Sequence, residues 1–261
     1  MEHLLSSSSI EEFFYDINYS NHNLTISDFN FKISLKYKIK GMIYLINLLI
    51  NKIFDMQNEI KGGTVNLSDL SKENTALIVV DMVNGFVHAG KMSSPRVEKI
   101  IDNVVSINER TYGYKKVFFL EQHDENSTEF KTYERHCIKN SVEAELISSL
   151  QGGATLHDNT TIIHKNSTNG FHAPEFKTWL SENEDQIENY IIEGCSIDIC
   201  VKHFAETLKT YFNQNNIDRR IIIPIDSVET FDFETHDGDL MKVISLWEMK
   251  SNGIEVVDTI L

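Results

Sequence analysis

The chain has 261 residues, enough for one large domain or two small ones with a sizeable core. Its formal net charge of −15 would repel phosphate backbones, so a nucleic-acid partner is not expected. Three cysteines cannot form a fully paired disulfide framework in so long a chain, which favours a reducing, cytoplasmic setting. The longest apolar run falls well short of the ~20 residues of a membrane helix, and the N-terminal MEHLLSSSS lacks the basic start of a signal peptide, so no membrane partner is expected either.

Residues 1–70 differ in composition from the rest and are rich in Asn, Ser, Ile and Lys. Within them, residues 36–60 carry apolar side chains at helical spacing, which predicts one long amphipathic helix. We expect this helix to pack on its own chain or on a second copy. A membrane-surface helix is the alternative, and the acidic total charge disfavours it. Gly62–Gly63 then predicts a linker, so the chain divides into an N-terminal helical extension, 1–70, and a second domain, 71–261.

From residue 75 onward, short apolar runs alternate with segments of helical periodicity. The runs are nearly continuous and mostly β-branched or aromatic, as in strands that are buried on both faces. They are Ala76–Val80, Val117–Leu120, Thr161–His164, Tyr190–Ile192, Ile221–Pro224 and Ile254–Val257. The helical segments are Pro95–Thr111, Asp198–Phe212 and Asp237–Lys250. This alternation predicts an α/β fold: a three-layer α/β/α sandwich with a six-stranded, largely parallel sheet.

Reactive side chains follow the predicted strands. Ligands of open parallel sheets bind at the carboxyl ends of the strands, so Asp81, Lys165 and Cys200 are expected at one edge. A carboxylate, an ammonium and a thiol together can perform nucleophilic acyl chemistry. We expect the helix start and Lys165 to favour the thiolate, and Asp81 to move the proton. The N–H groups of Ser196 and Cys200 would form an oxyanion hole. Taken singly, a cysteine at a helix start is more often a small buried apolar residue, and an aspartate after a strand is commonly a cap.

Three segments, VVDMVNGF at 79–86, KNSTNGF at 165–171 and EGCSIDICV at 193–201, resemble the isochorismatase-like cysteine hydrolases, which include the nicotinamidases. The resemblance covers about residues 75–261 and implies the isochorismatase-like fold for that part. In that family an Asp, a Lys and a Cys form the catalytic triad. By the matching motifs these are Asp81, Lys165 and Cys200.

The same resemblance has implications for the surroundings of the triad. It implies that the peptide bond between Cys195 and Ser196 is cis, and that Phe86 and Phe171 are substrate-binding residues in the pocket wall. A Phe is more often a core residue, which is the alternative for both. One position departs from the family pattern, because Ile197 stands where a threonine is usual, and its hydroxyl is lost from the oxyanion loop.

A second cluster, Glu121, His123, Glu129 and His136, follows the second predicted strand and offers donors suited to one divalent metal ion, Zn²⁺, Mn²⁺ or Fe²⁺. Nicotinamidases are similar here, with Asp-x-His after this strand and a His directly before a Cys, as His136 precedes Cys137. Glu121 replaces the family's aspartate and is one methylene longer, which would move or abolish the site. The alternative is a polar surface loop that binds nothing. No organic cofactor is expected.

The resemblance implies a cysteine hydrolase that cleaves a small carboxamide such as nicotinamide through a thioester on Cys200. Hydrolysis of isochorismate, a vinyl ether, is the second hypothesis and needs no acyl-thioester. A third is a non-catalytic binding module with the N-terminal helix as its contact surface, which the changes at Glu121 and Ile197 motivate. We expect a small-molecule amide partner and a homo-oligomer, since dimers and tetramers are common among such relatives.

Overall fold

A computed structural model describes residues 26–152 and 159–261, with side chains described from residue 38 onward. The chain divides into two units, Met1–Lys52 and Ile53–Leu261. The described part of the first unit is helical and belongs to helix α1, Ile26–Ile60, which ends in the second unit. The predicted helix is therefore present and begins earlier than residue 36. Among the described residues, none of the helices combines the length and the apolar character needed to cross a membrane.

The second unit contains a parallel sheet. The strands of the described residues are β1 (Thr64–Val65), β2 (Thr75–Val80), β3 (Lys115–Glu121), β4 (Thr160–Lys165), β5 (Asn189–Cys195), β6 (Arg220–Pro224), β7 (Val228–Glu229), β8 (Glu255–Val257) and β9 (Thr259–Ile260). The large sheet has the order β4-β3-β2-β5-β6-β8, and β7 pairs with the end of β5. Every pairing in it is parallel. The predicted six-stranded path is confirmed, and β7 is an addition to it.

Helices cover both faces of this sheet. After α1 they are α2 (Asn84–Val87), α3 (Pro95–Glu98), α4 (Ile101–Arg110), α5 (Pro174–Asn183), α6 (Lys202–Gln214) and α7 (Gly238–Ser251). Alternate residues of β2 point to opposite faces. Ile78 and Val80 join a core with α5, α6 and α7, whereas Leu77 and Val79 join a second core with α3 and α4. The three-layer α/β/α sandwich is therefore confirmed.

The predicted helix Pro95–Thr111 is interrupted between α3 and α4. Ser94 caps α3 by accepting a hydrogen bond from the N–H of Arg96, with Pro95 in the first turn. The N–H groups of Lys99 and Ile100 then bond carbonyls three residues back, so the turn tightens there. The side chain of Ile100 is buried in the core.

The end of α1 packs on its own chain, as predicted. Ile53 and Met56 contact the core, and Trp247 donates from Nε1 to Glu59 Oε2 over 2.6 Å. The apolar side chains of residues 42–50, in contrast, are mostly exposed.

Gly62–Gly63 is packed rather than a free linker. A Cβ on Gly62 would lie 1.8 Å from the carbonyl oxygen of Val256, so this position has no room for a side chain. The next residues form β1, which pairs in parallel with β9. Strand β1 belongs to the second unit. The boundary at residue 70 between the extension and the domain stays a prediction.

Candidate active site

The side chains of Asp81, Lys165 and Cys200 come together at the carboxyl edge of the sheet. Asp81 follows β2, Lys165 ends β4, and Cys200 lies in a π-helical turn, Ile197–Val201, after β5. Lys165 Nζ lies 2.8 Å from Asp81 Oδ2 and 3.8 Å from Cys200 Sγ. All three residues are buried, so little solvent screens these contacts.

Burial dominates the electrostatics of this group. It raises the pKa of Asp81, and the ammonium of Lys165 offsets only part of that effect. Burial opposes a charge on Lys165 too, but the carboxylate of Asp81 and the nearby Cys200 outweigh it, so the pKa of Lys165 is raised. Burial also raises the pKa of the Cys200 thiol well above its ordinary value, with Lys165 opposing and Asp81 adding to the rise.

The raised pKa keeps Cys200 in the thiol form, beside the Lys165 ammonium that also contacts Asp81. Lys165 favours the thiolate, as expected, but desolvation has the larger effect on the pKa of Cys200. A carboxylate of raised pKa beside a thiol is an arrangement in which the proton can pass from sulfur to oxygen.

The turn that carries Cys200 is fixed to the end of β2. The peptide bond between Cys195 and Ser196 is cis, as the resemblance implied. The Cys195 thiol donates to the carbonyl oxygen of Asp81 over 3.2 Å. The N–H groups of Ile199 and Val201 both donate to the Ser196 carbonyl over 3.1 Å. Ser196 and Cys200 line the same cavity, and their part in an oxyanion hole stays a prediction.

A cavity opens beside the Cys200 sulfur. Its walls include the predicted residues Phe86, Glu121, Glu129, His136, Ser196 and Cys200. They also include residues that the sequence analysis did not identify: Met92, Tyr133, Thr168, Ile199 and Phe231. Thr168 and Ile199 could have been inferred, because they lie in the segments 165–171 and 193–201 that carry the family resemblance. Phe231 and Met92 lie in loops, where no apolar period marks a side chain that faces a cavity.

The two predicted substrate-binding aromatics have different surroundings. Phe86 is in the cavity wall, with its ring 5.4 Å from that of His136. Phe171 instead packs against Phe176 and Tyr211, with ring centroids 5.8 and 5.5 Å away, and it is not brought to the wall. Ile197 is fully buried in the core below the turn. Its side chain therefore contributes apolar packing at this position, where a threonine would offer a hydroxyl.

Three of the predicted metal ligands meet in one cluster. One donor atom from each of Glu121, His123 and His136 lies within 4.8 Å of the other two. Glu121 Oε1 is 2.8 Å from His123 Nε2, which is 3.3 Å from His136 Nε2. Within the described residues, this carboxylate oxygen is buried without a hydrogen-bond partner.

The contacts of the Nδ1 atoms show which tautomer His123 and His136 each take. His123 Nδ1 faces the amide oxygen of Asn166 at 3.0 Å, and His136 Nδ1 faces the carbonyl oxygen of Glu134 at 2.7 Å. Both partners accept, so each Nδ1 carries the proton and each Nε2 presents a lone pair. Burial also lowers the pKa of His136. Two lone pairs and an unpaired carboxylate oxygen directed at one point fit a divalent cation.

The remaining predicted ligand and the second Glu121 oxygen lie outside this arrangement. Glu129 is in the cavity wall, and burial raises its pKa, but its carboxylate is not part of the cluster, so its role as a ligand stays a prediction. Glu121 Oε2 contacts the ammonium of Lys165. One carboxylate thus joins the Glu121–His123–His136 cluster, called the cation cluster below, to the Asp81–Lys165–Cys200 group.

Comparison with known proteins agrees with this architecture. The family model of the isochorismatase domain matches residues 75–259. A nicotinamidase from Bacillus subtilis superposes with a TM-score of 0.58 at 23% identity, covering 70% of this chain and 98% of that one. A pyrazinamidase from Pyrococcus horikoshii, solved in complex with zinc, gives 0.56 at 24% identity, covering 72% and 98%. An Arabidopsis thaliana protein described as a probable inactive nicotinamidase is 26% identical over 141 residues, 49% of this chain and 69% of that protein. At these identities the solved structures show a shared fold.

Proposed function

The chain belongs to the isochorismatase family, and on that premise we propose that it hydrolyses a small carboxamide, in the manner of a nicotinamidase, through a thioester on Cys200. The observation that carries the proposal is the position of Lys165 Nζ, 2.8 Å from the Asp81 carboxylate and 3.8 Å from the Cys200 sulfur. Amide-cleaving enzymes among the structural neighbours support the same reaction class.

In the first half of the reaction, Asp81 takes the thiol proton as Cys200 Sγ attacks the amide carbonyl carbon. The negative oxygen of the tetrahedral intermediate lies toward the N–H groups of Ser196 and Cys200. Asp81 returns the proton to the amide nitrogen, the carbon–nitrogen bond breaks, and ammonia leaves a thioester on Cys200. Lys165 stabilises the Asp81 carboxylate and fixes its position beside the sulfur.

In the second half, Asp81 accepts a proton from water as the water oxygen attacks the thioester carbon. The carbon–sulfur bond breaks, the sulfur regains the proton, and the carboxylic acid is released. The sum is one amide and one water consumed, and one acid and one ammonia formed.

Glu121, His123 and His136 would hold a divalent cation in this cavity, where it supplies a Lewis acid able to bind a heteroatom of the substrate. Phe86, with its aromatic face at the cavity wall, would bind a flat ring through its apolar surface.

The cavity walls favour an amide over isochorismate. The described residues that line the cavity include two acidic side chains, Glu121 and Glu129, and no Lys or Arg. Isochorismate carries two carboxylates, which such walls would repel as long as the cation cluster holds no cation. A neutral carboxamide meets no such cost.

The test is ammonia release by the purified protein, loaded with Zn²⁺, Mn²⁺ or Fe²⁺ in turn, from nicotinamide, benzamide and isobutyramide. We expect turnover of at least one aromatic amide and no pyruvate release from isochorismate. A folded protein that releases no ammonia from any of these amides would contradict the proposal. Pyruvate release that survives Cys200→Ala would favour the vinyl-ether reaction in its place.

A further inference from the structure

Asp198 is the centre of a buried hydrogen-bond cluster next to the nucleophile. It lies two residues before Cys200, and its side chain is 3% exposed. Its Oδ1 accepts from the Thr230 hydroxyl over 2.5 Å, and its Oδ2 lies 2.7 Å from His236 Nε2. Both partners belong to the loop of residues 230–237, between β7 and α7. Asp198 therefore holds both ends of this loop against the turn that carries Cys200.

The ring of His236 is held on three sides. Nε2 faces Asp198, and Nδ1 lies 2.9 Å from the carbonyl oxygen of Phe231. The rings of Phe231 and His236 are stacked, with centroids 4.1 Å apart and planes 8° from parallel. The backbones of Phe233 and His236 also exchange hydrogen bonds of 3.1 and 2.7 Å, which closes the loop on itself. With its carbonyl and its ring both on His236, Phe231 has little freedom to move.

Phe231 connects this hydrogen-bonded loop to the cavity. Phe231 is half-buried and lines the cavity beside Ile199 and Cys200. It shares the wall with two further aromatic rings, Phe86 and Tyr133. Aromatic surfaces bind flat rings through offset or edge-to-face contacts, which an aliphatic group cannot make.

We infer that Phe231 determines specificity for amides on a flat aromatic ring, and that His236 is a positioning residue that holds Phe231 in place through Asp198. The inference rests on the proposed amide hydrolysis. It assigns to the 230–237 loop a part in choosing the substrate, with no part in the bond-breaking steps.

The test compares an aromatic with an aliphatic amide in loop variants. For Phe231→Ala we expect KM for nicotinamide to rise about tenfold with kcat within about twofold, and KM for isobutyramide to change little. His236→Ala should give the same difference between the two amides, because Phe231 loses the ring that holds it in place. Phe233→Ala is the matched control, since this neighbouring ring is 65% exposed and does not line the cavity, and we expect it to match the unaltered protein.

A second readout does not depend on turnover. Mass spectrometry follows alkylation of Cys200 by 2-chloro-N-phenylacetamide and by chloroacetamide, and the ratio of the two rates reports access for an aromatic ring. We expect Phe231→Ala and His236→Ala to change this ratio at least fivefold and Phe233→Ala to leave it as it is. Phe231→Ala decides the question if His236→Ala does not fold.

The outcomes separate the inference from the proposed function. An active enzyme whose Phe231→Ala variant loses aromatic and aliphatic amides equally would overturn the inference and leave amide hydrolysis standing. A protein that cleaves no amide, but whose alkylation ratio changes in the two variants, would remove the proposed function and still support Phe231 as the residue that selects aromatic rings beside Cys200. An unchanged ratio in an inactive protein would overturn both.

Discussion

Glu121 and Lys165 are register partners at the ends of adjacent strands β3 and β4, and their side chains form a buried ion pair. The other oxygen of the same carboxylate lies 2.8 Å from His123 Nε2, in the cation cluster. The ammonium and a cation would therefore compete for one negative charge. The two oxygens of Glu121 face different partners, so one side chain reaches both.

This sharing predicts how zinc affinity responds to substitution. Glu121→Gln removes the only negative charge of the cluster, so Zn²⁺ affinity should fall at least tenfold by isothermal titration calorimetry. Lys165→Met frees the carboxylate from its ion pair, so the affinity should rise. Glu129→Gln is the control, because this carboxylate lies outside the cluster, and it should change the affinity less than threefold. Equal effects of the two glutamine variants would show that Glu129 is a ligand after all.

The proposed chemistry predicts a sharp difference between two buried thiols. Cys200→Ala removes the nucleophile, and Asp81→Asn removes the proton acceptor, so each should lower kcat for an amide by about 10³-fold or more. Cys137→Ala should leave kcat within a few-fold, since its thiol contacts the carbonyl of Glu143 and does not line the cavity. Ammonia release and thermal unfolding of the same samples separate loss of chemistry from loss of fold. Retained turnover in Cys200→Ala would exclude a thioester.

Glu193 is a buried carboxyl outside the site. It lies on β5 opposite Val79, and within the described residues neither of its oxygens has a hydrogen-bond partner. Burial raises its pKa well above the ordinary value, and Lys116 only partly opposes this. Lys116 is itself buried, which lowers its pKa to about 8, and it donates to the carbonyl and side-chain oxygens of Asn108.

The raised pKa of Glu193 predicts a pH-dependent stability. Between the unfolded and folded pKa values the folded chain keeps a proton that the unfolded chain releases, so rising pH favours unfolding in this window. The slope for one proton is about 1.4 kcal/mol per pH unit. Glu193→Gln should remove this slope. From about pH 5 upward, the free energy of unfolding of the variant should therefore rise relative to that of the unaltered protein by up to about 1.4 kcal/mol per pH unit.

Urea unfolding at pH 5, 6 and 7 measures this difference. Glu188→Gln is the control, because that carboxylate is exposed just before the same strand. Parallel stability curves for Glu193→Gln and the unaltered protein would mean that Glu193 keeps its charge in the fold.

Gly194 predicts a steric effect at the centre of the sheet. Its φ of +111° is unfavourable for other residues, and an added Cβ would lie 2.1 Å from the carbonyl oxygen of Val80 on the neighbouring strand. Gly194→Ala should therefore lower the free energy of unfolding by roughly 2–4 kcal/mol. At Gly113, with φ of +84°, no described atom lies within 4 Å of the same Cβ, so Gly113→Ala should cost only about 1 kcal/mol. Equal losses in chemical unfolding would show that the clash is relieved by a shift of β5.

Much of the fold follows from simple patterns in the sequence. Strands such as Ala76–Val80 are buried on both faces, so their runs are apolar throughout, and the alternation with helices fixes a parallel sheet. The carboxyl-edge rule then brings Asp81, Lys165 and Cys200 together without any knowledge of loop paths. The family motifs add the cis bond, which no local pattern would reveal.

The features that were missed depend on tertiary context. The pairing of Glu121 with Lys165 depends on the register of β3 and β4, which apolar runs do not specify. The resting thiol of Cys200 depends on how deeply the fold buries it. Phe231 lines the cavity from a loop that hydrogen-bonds to Asp198, and the two phenylalanines of this acidic loop show no period that would tell them apart.

The strand order has a consequence for how the protein matures. Lys165 is 44 residues from Glu121 and 35 from Cys200. Because β3 and β2 lie between β4 and β5 in the sheet, Lys165 meets Cys200 only after all these strands have aligned. Such non-local closures are the slow steps in folding. A nascent or misassembled chain therefore lacks the assembled Asp81–Lys165–Cys200 group, and under the proposed function activity would arrive together with the completed sheet.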